Sequence, residues 1–79
     1  MQAITTGRFV RSFVRAPATT KRAFLKQLDF LLADLRYPSL HAKKYDSVRW
    51  QARVTRNWRF YFRIERDTYI LLDIMRHPP

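Results

Sequence analysis

Cysteine is absent from this chain, which excludes disulfide staples and thiolate metal sites and suits a reducing compartment. Glycine occurs once and proline four times in 79 residues, too sparse for long flexible linkers. Acid is scarce as well: six Asp and Glu stand against sixteen Lys and Arg, for a net charge of +10, and none precedes Asp29. No apolar run approaches the ~20 residues of a membrane-spanning helix. The longest clean stretches are Phe30–Ala33 and Tyr69–Leu72, so no membrane partner is expected. The only histidines, His41 and His77, lie far apart in the sequence. That spacing gives no support to a histidine metal site, and no metal or other cofactor is expected.

What is present is enough for a core. Apolar residues make up 47% and aromatics 15% of the chain, a globular composition expected to form one domain over residues 1–79. A chain of this size buries only roughly 60–65% of its unfolded surface, so its stability margin is small. Arginine supplies twelve of the sixteen cations. Its planar fork of donors suits phosphate and base edges better than the mobile ammonium of lysine, and the excess charge calls for a polyanion or an acidic protein as partner. The acid-free, arginine-rich start superficially resembles an organellar transit peptide, but helices with basic outer faces account for the same residues.

Gln2–Thr5 is long enough for an edge strand, although weakly patterned. From Arg8 the period is helical, with Phe9, Val10, Phe13 and Val14 spaced among Arg8, Arg11 and Arg15 until Pro17 stops the helix. Thr19 or Thr20 is the expected cap of a second helix, reached through a short Ala16–Thr19 connection. Phe24, Leu28, Leu31, Leu32 and Leu35 form its apolar stripe, widened by Leu25, with Gln27 off the stripe and Pro38 beyond the end. The period then changes to two. Val48, Trp50, Ala52 and Val54 alternate with Arg49, Gln51 and Arg53. Trp58, Phe60, Phe62 and Ile64 alternate with Arg59, Tyr61 and Arg63. Ile70, Leu72 and Ile74 alternate with Tyr69, Leu71 and Asp73. Arg56-Asn57 and Arg66-Asp67 read as turns because Asn and Asp tolerate left-handed geometry.

The expected architecture is α+β: an N-terminal helical hairpin packed on an antiparallel sheet of three to four strands. Covering the apolar face of the sheet leaves Arg49, Arg53, Arg59, Tyr61 and Arg63 on the other, since a register slip of one would bury arginines.

Several segments carry a family resemblance. Tyr37-Pro38-Ser39-Leu40-His41-Ala42-Lys43-Lys44-Tyr45 is similar to the helix-to-sheet link of RelE/ParE toxins. Trp50-Gln51-Ala52-Arg53-Val54, followed by Asn57-Trp58-Arg59-Phe60-Tyr61-Phe62, resembles the core strands of that superfamily. Glu65-Arg66-Asp67-Thr68 through Ile74 resembles its last hairpin, and Met75-Arg76-His77 sits where many members have Val-Gly-His. The ordered likeness spans residues 8 to 77. It implies a cytoplasmic toxin of a type II toxin–antitoxin system, a RelE-like endoribonuclease cutting mRNA on the ribosome by metal-independent 2′-hydroxyl attack and so inhibiting translation. It also implies a cognate acidic antitoxin, partly disordered until bound.

By position, the resemblance assigns catalytic roles to Arg59, Arg53 and His77, and RNA contacts to Lys43, Lys44, Arg49, Tyr61 and Arg63. Gln51 stands where some members carry a further lysine and Pro78 where others have a late arginine; the tyrosine-bearing tail of some members has no counterpart. The superfamily also contains ParE-type inhibitors of DNA gyrase, so that target, and a catalytically inactive basic binding module, stand as alternatives.

Overall fold

The computed structural model describes residues 1–78. In chain order the elements are β1 (Gln2–Thr5), α1 (Gly7–Arg15), α2 (Ala18–Ala33), a short 3-10 turn (Pro38–Leu40), β2 (Lys43–Lys44), β3 (Trp50–Thr55), β4 (Trp58–Glu65) and β5 (Thr68–Arg76). The strands form one sheet in the order β1-β5-β4-β3-β2.

This corrects the expected sheet of three to four antiparallel strands: there are five, and β1 runs parallel to β5, with Gln2 opposite Thr68 and Thr5 opposite Leu71. Both additional strands are short edges, of four and two residues, and too short to impose a period. Backbone pairing defines them: Gln2 N–H donates to Asp67 C=O and Thr6 N–H to Leu71 C=O around β1, and Lys43 and Lys44 of β2 lie opposite Gln51 and Trp50.

Thr6 caps α1, its hydroxyl accepting from Phe9 N–H at 3.2 Å while donating to Leu71 C=O at 2.9 Å. One side chain thus starts the helix and ties it to β5. In α1, Phe9 and Phe13 turn inward, whereas Val10 and Val14 stay exposed. The second helix starts directly after Pro17, without a side-chain cap, and Thr20 is buried within its first turn, not at a cap. Its buried residues Thr20, Phe24, Gln27 and Leu31 keep a period near 3.6, and Leu25 is exposed. It ends at Ala33, short of the expected stripe, because the Asp34 carboxylate accepts from Arg36 N–H at 2.9 Å and turns the chain. No helix among the described residues is long and apolar enough to cross a membrane.

The core joins Phe9, Phe24 and Leu31 of the helices to Ala52, Phe60, Phe62, Tyr69, Leu71 and Ile74 of the sheet. Phe24 meets Phe60 edge-on with centroids 5.1 Å apart, and Phe62 meets Tyr69 likewise at 5.5 Å. In β5 the simple alternation fails. Tyr61 pairs with Asp73 but Phe62 pairs with Leu71, so Leu72 is an extra residue in β5. This bulge reverses the facing of the strand, putting Tyr69, Leu71 and Ile74 together in the core instead of Ile70, Leu72 and Ile74. Two further details differ. Val48 lies in the loop before β3 and is exposed, and in the Arg66-Asp67 turn it is Arg66, not Asp67, that takes the left-handed conformation, at φ 55°.

Candidate nucleic-acid interface

Residues between the core positions of β3, β4 and β5 face away from the helices, and this open face carries two neighbouring clefts. The first, ≈ 390 Å³, is lined by His41, Ala42, Lys43, Gln51, Arg53, Arg59 and His77. Arg53 and Arg59 are direct cross-strand partners, and Lys43 lies opposite Gln51 on the next strand. Like charges directly opposite one another destabilise a sheet by about 0.2–1 kcal/mol. Among the described residues no carboxylate pairs with either guanidinium.

Arg59 is held by the β3–β4 turn. Its Nη1 donates to the carbonyls of Thr55 at 2.8 Å, Trp58 at 3.0 Å and Arg56 at 3.2 Å. Burial, and then the charge of Arg53, lower its pKa from the usual arginine value. Arg53 Nε is buried and has no hydrogen-bond partner among the described residues. The Arg53 backbone is fixed from below: buried Gln27 donates from Nε2 to Arg53 C=O at 2.8 Å and to Ser39 C=O at 3.0 Å, and its Oε1 accepts from the Ser39 hydroxyl at 2.9 Å. Sequence periodicity set Gln27 off the apolar stripe; its burial follows from these three bonds.

His77 is anchored beside the same turn, its N–H donating to Asn57 C=O at 2.7 Å. His41 follows the 3-10 turn in a left-handed conformation, φ 46° and ψ 40°, which directs the chain into β2. The two histidines therefore share a cleft although 36 residues apart in sequence. Sequence reading gave His41 no role, because only the folded path from the 3-10 turn into β2 reveals it. No group of three or more His, Cys, Asp or Glu residues able to hold a metal occurs among the described residues.

The second cleft, ≈ 400 Å³, is lined by Thr6, Arg8, Tyr45, Arg49, Tyr61, Leu72, Asp73 and Met75. Arg49 lies in the β2–β3 loop rather than in a strand, because the Asp46 carboxylate accepts from the backbone N–H groups of Val48 and Arg49 and closes a turn. Arg49 pairs with Asp46 at 2.7 Å and rests over the Tyr45 ring at 5.0 Å. Tyr45 in turn meets Tyr61 edge-on, with centroids 5.2 Å apart. Burial, followed by Tyr45, raises the Tyr61 pKa. Asp73 is largely buried and pairs with Arg8 at 3.2 Å. Asp73 lies on this face directly across from Tyr61, as its alternation with Ile74 sets it, and sequence reading gave it no role because its partner Arg8 is 65 residues away.

Lys43, Arg53, Arg59 and His77 are thus assembled in one cleft, and Arg49 and Tyr61 in its neighbour. Lys44 and Arg63 join neither cleft: they line a hollow with Trp50 and Glu65, where Arg63 pairs with Glu65 at 2.7 Å and Lys44 lies 5.5 Å from the Trp50 ring.

No protein-family model and no curated protein matches the chain at the level of sequence. Its shape does match solved structures. A YoeB/ParE toxin from Agrobacterium tumefaciens aligns with a TM-score of 0.81 at 13% identity, covering 99% of this chain and 100% of that one. The isolated RelE toxin of E. coli aligns at 0.77 and 10% identity, covering 98% and 84%. An antitoxin–toxin complex, RelB-RelE from Methanococcus jannaschii, aligns at 0.76 and 14% identity, covering 92% and 88%. With its helical pair over a sheet closed by a parallel first strand, the chain has the RelE/ParE toxin fold.

Proposed function

We propose that this protein is the toxin of a toxin–antitoxin pair and that it cleaves mRNA on the ribosome. The observation that carries this reading is the opposed Arg53–Arg59 pair, two guanidinium groups on one face with no carboxylate paired to either among the described residues. Such a pair is unfavourable until an anion lies between its members. A phosphate gaining negative charge during transfer is the anion it stabilises most, and preorganised donors need no rearrangement as that charge grows.

The reaction needs no group beyond the RNA and the chain. The 2′-oxygen forms a bond to the adjacent phosphorus and gives up its proton. The bond from phosphorus to the 5′-oxygen breaks, and that oxygen takes a proton. A 2′,3′-cyclic phosphate and a 5′-hydroxyl result. His77 carries proton exchange, and His41, on the same cleft, provides the second imidazole that separate donor and acceptor roles call for. Lys43 anchors a flanking phosphate.

Programmed ribosomes incubated with purified protein test this: mRNA should be cut at ribosome-positioned sites and remain intact with Arg59→Ala. Intact mRNA with the wild-type protein, together with accumulation of cleaved DNA in a gyrase supercoiling assay, would replace this reading with the gyrase target. The proposed partner is an acidic antitoxin that neutralises the basic face. RelB-RelE complexes among the similar structures support it, as does the net charge of +10.

A further inference from the structure

The cleft beside the arginine pair has a composition that phosphate chemistry does not explain. Its walls combine the Tyr45–Tyr61 pair, Leu72 and Met75 with one largely buried carboxylate, Asp73, whose side chain retains 13% exposure. Its two arginines, Arg8 and Arg49, are each already paired with an acid. A carboxylate repels phosphate, and aromatic and aliphatic walls offer it nothing. A flat ring with a polar edge fits both. Aromatic side chains stack bases of any sequence, while a carboxylate accepts only from edge donors.

Spacing links the two clefts. Arg59 and Tyr61 are alternate residues of β4 on the same face, so they stand about 6.8 Å apart along the strand, comparable to the repeat of an extended nucleotide chain. Asp73 sits directly across from Tyr61. Its Oδ1 accepts from Ile74 N–H at 2.9 Å and its Oδ2 from Arg8 Nε at 3.2 Å. Two carboxylate oxygens have about four acceptor positions between them, so each keeps capacity for one more donor.

We propose that this second cleft is a base-binding subsite: a nucleobase next to the phosphate held by Arg53 and Arg59 lies against Tyr45 and Tyr61, and Asp73 favours a base edge with two adjacent N–H donors, as guanine has. The inference rests on the RNA reading above and adds to it a seat for one base and a basis for discrimination.

Fluorescence anisotropy with short single-stranded RNAs methylated at O2′, so that they cannot be cleaved, tests it. Paired oligonucleotides carry guanine, or inosine lacking the 2-amino donor, at the central position. Tyr45→Ala, a change at an exposed residue, should weaken binding about tenfold with the salt dependence unchanged. Arg59→Ala should instead lower the slope of log affinity against log salt by about one. The wild-type protein should prefer guanine over inosine about fivefold, and the isosteric Asp73→Asn should erase that preference. Affinity unchanged in Tyr45→Ala and in Tyr61→Leu overturns the subsite while the RNA reading stands. Equal binding of the guanine and inosine strands overturns the role of Asp73. Absence of RNA binding by the wild-type protein removes the RNA reading and the subsite with it.

Discussion

At one end of the open face Arg53 and Arg59 oppose each other with no acid paired to them among the described residues; at the other, Arg49 is tied to Asp46 and Arg8 to Asp73. The two ends share strand β4 and differ chiefly in where the few acids fall. Arginine abundance alone therefore does not mark a phosphate site. A neutralised arginine over a tyrosine shapes a wall, whereas an unneutralised one beside a second is poised for an anion. Six acids among 79 residues are enough to draw that line.

The contrast is sharpest in cleavage. Arg59→Ala should lower the rate of ribosome-dependent mRNA cutting by about 100- to 1000-fold, the effect of removing one preorganised donor from a growing oxyanion. Arg63→Ala, which removes an exposed guanidinium already paired with Glu65, should stay within about threefold of wild type. Equal losses in a quantified primer-extension assay would erase the distinction between free and paired arginines.

Next in size is the support beneath the arginine end. Gln27→Ala strips the buried carbonyls of Arg53 and Ser39 of a donor and should cost about 1–3 kcal/mol in urea unfolding. A cost near zero would mean that the Arg53 strand is held by its ladder alone. Smaller and opposite in sign, Arg53→Gln should raise stability by about 0.2–1 kcal/mol while cleavage falls, because it relieves a like-charge pair. Arg49→Gln breaks an ion pair and should bring no such gain.

The smallest expected effect is local. Backbone donors from Arg49 and Val48, and then the Arg49 guanidinium, hold the Asp46 pKa at about 2, below its usual 3.8. A lowered carboxylate pKa means that the turn is favoured above pH 3.8 and loosens as pH falls toward 2. The amide resonances of Val48 and Arg49 should shift over that interval with those of β4 unmoved. Movement of β4 over the same interval would show the two ends to be coupled.

Much of this was legible in the letters. The helical pair, the meander of β3, β4 and β5, and the placement of Arg53, Arg59 and Tyr61 on one face follow from periods of 3.6 and 2. The family resemblance anticipated the fold. What escaped has physical reasons. Edge strands of two and four residues carry no period, so the five-strand mixed sheet was hidden. The bulge at Leu72 lies in Tyr69–Leu72, a stretch apolar at every position, so either alternation could be buried there. Gln27 and His41 owe their places to partners 12 or more residues away, or to a single left-handed residue, which no local pattern registers.

The parallel pairing of β1 with β5 also bears on how the molecule comes into being. Gln2 finds its neighbour in Thr68, a residue added 66 peptide bonds later. During synthesis the opening strand therefore waits without its mate, and the sheet can knit shut only when the final hairpin has emerged from the ribosome. Arg53 and Arg59 precede that closing strand in the chain and His77 follows it, so a half-made chain holds guanidiniums but no finished cleft.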